Sequence, residues 1–465
     1  MEEIVHMRKV ISLILTCVIT ISVFCAPLTA EALTYTPDFE VVSQSAYLVN
    51  TDTGKVLYEK EAQKQLIPAS LTKMITCIVA LEHCEDIANT MVTAPNYVFD
   101  NLYGKGASDA GIMAGETLSM EDLLYGLMLP SGCEAADIIA DYISGGKPEE
   151  FIQMMNDKAK EIGCTNTVFY DASGLDNRNL STAYDMYLIA NYGMNMEDGR
   201  FATISTTVRH TMKATNKQGE RTITHSNYRM LVKSLGGDKY FYEYVKGIKT
   251  GTGDDYKNLV TAASHDGYNY ICVVMGAPIR DGYGNELPQY TCLDSKNLYK
   301  WAFNNFSLKT VAEPNSKTIP NQIKVELAKD TDTIQLTTKE TITELLPNDI
   351  DVSSIMWDTS NLPKTIQAPI KQGQEIGTID LKLQNEVIQT VTVVAANDID
   401  RSMWLYIGNI LKKILTSWWF ILLVVIIVVL LILYFVMVVV YNKRRRKGKI
   451  PVRRKKGQTV KRRRR

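Results

Sequence analysis

Three short segments carry side chains whose types and spacing suit acyl-transfer chemistry. In "PASLTKM", Ser70 and Lys73 stand three positions apart. Three residues of α-helix turn about 300° and rise about 4.5 Å, so both side chains share one face. A serine hydroxyl is a weak nucleophile and needs a base beside it. A lysine serves as that base when burial and nearby positive charge lower its pKa. If Ser70 opens the helix, the terminal amides also favour negative charge there. Alone, S-x-x-K is a weak signal, since chance and simple helix capping both produce it.

The second segment is "LPSGCEAAD", Leu129 to Asp137, with two possible nucleophiles, Ser131 and Cys133. A thiol needs an activating base or a positive setting. His83, His210, His225 and His265 all lie far from Cys133 in sequence, so it reads as a neutral thiol on a cleft wall. Glu134 reads as a first-turn carboxylate that suits the helix dipole. The third segment is "KGIKTGTG". A strand carrying Lys249, Thr250 and Gly251 can line a cleft. The lysine attracts a carboxylate, the hydroxyl donates to it, and the glycine lets a substrate approach the backbone.

These segments need elements to position them. "SAYLVNTDTGKVLYEK", Ser45 to Lys60, alternates around Asp52-Thr53-Gly54 and predicts a β-hairpin. Apolar spacing from Leu71 to Leu81 predicts a helix behind Ser70. "TLSMEDLLYGLMLPSGCEAADIIADYIS" predicts two helices split at Pro130-Ser131-Gly132. "KPEEFIQMMNDKAKEIGC" is an amphipathic helix ending at Gly163, and "STAYDMYLIANYGM" another, capped by Ser181 or Thr182. "KGIKTGTG", "NLVTAASHDG" and "YNYICVVMGAP" read as strands, with "SKNLYKWAFNNF" a closing helix. Helices gathered between strands from both ends of a domain predict an α/β or α+β fold with a late-forming sheet. From about Ser307 short Thr/Val/Ile strands broken by Pro, Gly, Asn and Asp predict a small all-β module without catalytic residues.

Both ends read as membrane segments. Arg8 and Lys9 precede the apolar run Val10 to Cys25, and Ala30 and Ala32 follow at signal-peptidase spacing. A retained N-terminal anchor is the rival reading. Trp418 to Tyr441 holds no charge over 24 residues, about 36 Å of helix, enough to cross a bilayer with some tilt. Trp418, Trp419 and Tyr441 sit where interfacial aromatics belong, and "KRRRKGK" after them keeps that end cytoplasmic. Trp404, Ile407, Leu411 and Ile414 share a helical face that suits the membrane surface. The expected layout is a signal peptide at 1–32, a catalytic domain at 33–306 and a β-rich domain at 307–397. An interfacial helix at 398–417, a transmembrane helix at 418–441 and a basic cytoplasmic tail at 442–465 follow. The tail from Lys443 holds 15 of the 51 basic residues, leaving 36 against 51 acids, a balance of −15. Nucleic-acid binding needs basic residues on the folded part, so none is expected. Six cysteines lie outside the export segment, without a CxxC pair or histidine clustering, so no metal site is expected.

The order S-x-x-K, S-x-x, K-T-G resembles the penicillin-binding proteins and serine β-lactamases. "TGKVLYEKEAQKQLIPASLTKMIT", "DASGLDNRNLSTAYDM", "GIKTG" and "VVMGAP" are similar to segments of the serine-type D-alanyl-D-alanine carboxypeptidases, the low-molecular-weight penicillin-binding proteins. The late β-module is similar to their membrane-proximal domain. The resemblance spans about Ser45 to Val394 and implies the transpeptidase fold and specific roles. Ser70 would attack the D-Ala-D-Ala carbonyl and form an acyl-enzyme, with Lys73 accepting its proton. Ser131 would relay a proton to the leaving D-alanine. Lys249, with Thr250, Gly251, Thr252 and Cys133, would hold substrate, and the amides of Ser70 and Thr252 would form the oxyanion hole. The resemblance implies peptidoglycan stem peptides as substrates, β-lactams trapped at Ser70, and no cofactor. Three positions depart from the family: Cys133 replaces its usual Asn, Ser173 stands where His is frequent, and Gly253 where Thr is common. A thiol is a weaker hydrogen-bonding partner than an amide. Two rivals remain. A serine β-lactamase would need a glutamate in an E-x-x-L-N arrangement, which is missing. A non-enzymatic wall-binding protein would bind ligand without forming an acyl-enzyme.

Overall fold

The computed structural model describes residues 36–315, 319 and 322–447. The expected signal peptide and the tail beyond residue 447 lie outside them. The described chain divides into two compact units. The first runs to Val311 and takes in Thr343–Ser354 and Gln384–Glu386; the second takes in the remainder.

The first unit is built on one antiparallel sheet. The expected hairpin forms β1 (Ser45–Asn50) and β2 (Val56–Lys60). The three later strands are β3 (Val245–Thr252), β4 (Tyr256–His265) and β5 (Tyr268–Pro278). Their order is β2-β1-β5-β4-β3, so β1 sits beside β5, with Ser45 opposite Met275. All six residues of β1 are buried, because both faces of the sheet are covered. Period-two alternation sends Tyr47 and Val49 into one core and Ala46 and Leu48 into the other. The second core is closed by helix Tyr290–Asn305, through Leu298, Tyr299, Trp301 and Ala302.

The first core holds the helices that begin at Lys73 and at Cys133. Helix α1 (Lys73–His83) is buried at every position from Lys73 to Leu81. Its sequence, "KMITCIVAL", is apolar around nearly its whole circumference, as an interior helix must be. α2 (Met120–Met128) is capped by Ser119, whose hydroxyl accepts from Asp122 N at 3.1 Å. α3 (Cys133–Ser144) follows after the expected break. α4 (Pro148–Ile162) has proline in its first turn, and α5 (Ala183–Met194) is capped by Thr182, which accepts from Asp185 N at 3.0 Å. The fold is therefore α+β, with a sheet made from both ends of the unit.

In the second unit, six strands lie in the order Met356–Asp358, Glu375–Leu383, Glu386–Ala395, Thr333–Thr338, Gln322–Glu326, Thr365–Gln367. Two further helices close the described chain. Met403–Leu415 has no buried residue, and Trp404, Ile407, Leu411 and Ile414 are among its exposed side chains. Trp418–Lys447 is long and apolar enough to cross a membrane, with exposed apolar side chains along its length.

Candidate active site

Ser70 and Lys73 meet, but not on one α-helix as the spacing predicts. Ala69–Thr72 is a 3₁₀ turn, and α1 begins at Lys73 itself. A 3₁₀ turn has three residues, so positions i and i+3 eclipse. Lys73 Nζ lies 3.0 Å from Ser70 Oγ. The amine also donates to the Ser173 carbonyl at 2.6 Å and lies 3.3 Å from Cys133 Sγ. Lys73 is fully buried, and among the described residues no acid forms an ion pair with it.

Two neighbours fix the turn that carries Ser70. Gly174 has φ +84°, and a Cβ there would stand 2.0 Å from the Ala69 carbonyl oxygen. The turn can pack on this loop only because residue 174 lacks a side chain. Asn258, at the start of β4, donates through Nδ2 to the carbonyls of Ile67 and Pro68, both at 3.0 Å. Its Oδ1 accepts from Gly276 N at 2.8 Å, so one amide ties the turn to two strands.

The second motif occupies the connection between α2 and α3. Ser131 sits at φ +72°, a region that costs a non-glycine residue about 1–2 kcal/mol. Such strain persists only where surroundings impose it. Ser108 does so in part: its hydroxyl donates to Ser131 O at 2.6 Å, and its carbonyl accepts from Cys133 N at 2.8 Å. Ser131 Oγ accepts from Lys249 Nζ at 2.8 Å, which joins the second motif to the third.

On β3, Lys249 is fully buried and also donates to the Thr250 carbonyl at 3.0 Å. Burial, then the charge of Lys73, holds the Lys249 amine well below the ordinary lysine range. Thr250 Oγ1 lies 2.6 Å from Ser226 Oγ. Gly251 does not face the cleft. A Cβ there would approach Pro68 O at 2.7 Å, so its missing side chain lets β3 pack against the turn that carries Ser70. Behind Lys249, His225 is held neutral, its pKa lowered to about 4 by burial and then by the Lys249 charge. Its Nε2 faces the carbonyls of Ser205 and Ile248, and Nδ1 accepts from Asn227 N at 2.9 Å.

Ser70, Ser131, Cys133, Thr250 and Thr252 line one cleft of about 690 Å³. The buried amines of Lys73 and Lys249 reach it through their contacts with Ser70 Oγ and Ser131 Oγ. A hydroxyl beside one buried amine, and a second hydroxyl beside another, is a layout that can move a proton from nucleophile to leaving group. Sequence reasoning missed Asn258, Ser226, Ser108 and the Ser173 carbonyl. Asn258 alone left a trace, as an amide heading an otherwise apolar strand. Cys77, Cys84, Cys133, Cys164, Cys272 and Cys292 are buried thiols without disulfides.

Known proteins share this arrangement of segments. Residues 31–279 match the family described as D-alanyl-D-alanine carboxypeptidase, and residues 306–401 match the C-terminal domain of penicillin-binding protein 5. The D-alanyl-D-alanine carboxypeptidase DacF of Bacillus subtilis is 29% identical over 378 residues, covering 81% of this chain and 90% of its own length. Penicillin-binding protein 5 of Haemophilus influenzae superposes with a TM-score of 0.59 at 26% identity, over 79% of this chain and 99% of that one. The Streptomyces K15 DD-transpeptidase gives 0.51 at 27% identity, over 58% of this chain and all of its own. With two matched regions in the same order as its own two folded units, the chain belongs to the D-alanyl-D-alanine carboxypeptidase family.

Proposed function

We propose that this serine-type D-alanyl-D-alanine carboxypeptidase acts through Ser70. The supporting observation is the run of contacts Ser70–Lys73 and Ser131–Lys249 along one cleft. Ser70 Oγ attacks the carbonyl of the terminal D-Ala-D-Ala bond, and Lys73 takes its proton. The amides of Ser70 and Thr252 receive the developing oxyanion. The C–N bond then breaks, and a proton passes through Ser131 Oγ to the departing D-alanine amine. Lys249, with Thr250 and Thr252, attracts the substrate carboxylate. Water attacks the Ser70 ester, releases the shortened stem peptide and returns the proton to the site. A β-lactam meets the same hydroxyl, opens its ring amide and leaves a slowly hydrolysed ester. Cys133 contributes a thiol contact to Lys73 where the family has an amide.

The domain layout given above belongs to this reading, with signal peptide, catalytic domain, β-rich domain, surface helix, span and tail in that order. One apolar C-terminal helix is consistent with a membrane anchor. The catalytic domain lies outside the cytoplasm and the basic tail inside it, next to anionic lipid. Nucleic acid is not a partner, because the basic excess is confined to the tail. Ser70→Ala tests the assignment: D-alanine release and covalent labelling by a fluorescent penicillin both disappear. Labelling that survives the substitution would place the nucleophile elsewhere.

A further inference from the structure

The loop at 171–176 takes no step in the scheme above, yet it makes the shortest contact to the proposed base. Ser173 O accepts from Lys73 Nζ at 2.6 Å, and the carbonyl before it, Ala172 O, accepts from Thr76 Oγ1 at 2.7 Å. Lys73 and Thr76 stand three positions apart on α1, so two successive carbonyls of the loop are turned towards one face of that helix. The loop forms neither helix nor strand. One side chain holds it in shape. Asp171 Oδ2 accepts from Ser173 Oγ at 2.7 Å and from Leu175 N at 2.8 Å, and Oδ1 accepts from Gly174 N at 3.0 Å. The amides of Gly174 and Leu175 have no carbonyl partner among the described residues. Asn179, fully buried, ties this hub to the chain before it: its Nδ2 donates to Asp171 Oδ1, and its Oδ1 accepts from Tyr170 N at 2.6 Å.

A carbonyl oxygen can only accept, whereas a hydroxyl and a thiol can each give or accept. Of the three groups around Lys73 Nζ, Ser173 O is therefore the one whose role is fixed: it takes an N–H. A neutral amine has a second N–H and one lone pair left for Ser70 Oγ and Cys133 Sγ. The hydroxyl is the stronger donor of these two, so the lone pair goes to Ser70 and the second N–H to sulfur. That is the orientation a general base needs. Without the carbonyl, the amine is free to rotate about its Cε–Nζ bond and to meet Ser70 with an N–H instead.

We infer that Asp171 is a positioning residue for the acylation step: by holding the Ser173 carbonyl on Lys73, it aims the lone pair of the amine at Ser70. Asp171 is not among the residues that line the cleft, so it acts through the loop and not on the substrate. The inference rests on the reading of Ser70 as nucleophile and Lys73 as its base.

The test separates binding from acylation. The full chain in detergent is mixed with a fluorescent penicillin at several concentrations, which resolves the dissociation constant of the first complex from the acylation rate constant. Asp171→Ala should lower the rate constant at least about tenfold, as misaimed catalytic groups do, and change the dissociation constant by less than about twofold. Asp171→Asn keeps one acceptor oxygen for the loop and should recover at least about threefold of that loss. A smaller loss in Asp171→Ala protein with a wild-type circular dichroism spectrum overturns the inference. So does a loss carried by the dissociation constant, or one that asparagine does not relieve. Should Asp171→Ala fail to fold, Asp171→Asn is judged alone: an acylation constant at least about threefold below wild type, at unchanged dissociation constant, supports the inference, and a smaller loss overturns it. Failure of the Ser70 reading shows separately, as labelling that survives Ser70→Ala, and it removes this inference with it.

Discussion

Lys249→Met should make the protein more stable while removing its activity. The Lys249 amine is fully buried, has no acid partner and faces the charge of Lys73. Burial and that neighbouring charge both disfavour the ammonium, so the folded state carries a cost at pH 7.5 that a neutral side chain does not. Methionine fills a similar volume without that cost. It forfeits two hydrogen bonds, to Ser131 Oγ and to the Thr250 carbonyl, together about 1–3 kcal/mol. Where the desolvation cost is the larger, the variant melts higher than wild type, by about 2 °C for each kcal/mol in a unit of this size. The pH dependence carries a sign. A lysine lowered in the folded state binds fewer protons there than in the unfolded chain, so wild-type stability rises with pH towards the free-lysine value. The advantage of Lys249→Met should therefore shrink between pH 7 and pH 10. Differential scanning calorimetry of the full chain in detergent measures it, with penicillin labelling as the activity readout. A variant that melts below wild type by more than about 3 °C across this range would refute the reasoning. It would mean that the amine's hydrogen bonds outweigh its desolvation.

Two further substitutions test other parts of the site. The Asp137 carboxyl is pushed up to about 7 by burial, then by Asp171, against the pull of Lys73 and Lys105. An acid raised in the folded state gives stability at low pH that is lost as pH rises through 7, roughly 4 kcal/mol in order of magnitude. Asp137→Asn should flatten that loss, and melting curves at pH 5 and pH 8 that shift equally in both proteins would speak against it. Gly174→Ala sets a Cβ 2.0 Å from the Ala69 carbonyl at a positive φ. It should cost at least about 2 kcal/mol and slow penicillin acylation by displacing Ser70; an unchanged melt and labelling rate would show that the turn yields freely.

The residues proposed for the site were legible because their signal is local. Ser70, Lys73, Ser131 and Lys249 stand in short motifs, and the structure brings all four to one cleft. The helices were legible for the same reason, from their apolar period, and of the two caps expected for α5, Ser181 or Thr182, Thr182 is the one that forms. What escaped is long-range. Asn258 holds carbonyls 190 and 191 residues away, and the Ser173 carbonyl meets an amine 100 residues away. No spacing records such pairings. The 3₁₀ turn at Ser70 escaped because its first residues read equally well as α-helix. Gly251 reads as an opening towards substrate, yet its neighbour is the Pro68 carbonyl, which only the folded sheet brings close.

The sheet order has a consequence for the timing of synthesis. β1 leaves the ribosome early but pairs with β5, whose last residue is Pro278. Until then one side of β1 has only its hairpin mate. The nucleophile turn lacks its Asn258 tether, and Ser131 lacks the Lys249 amine. Until Val245–Thr252 has emerged, the polypeptide lacks the strand residues that the proposed site uses. Closing contacts between such distant segments is also slow. A fragment ending before β3 would carry the serine and its lysine but have no cleft in which to use them.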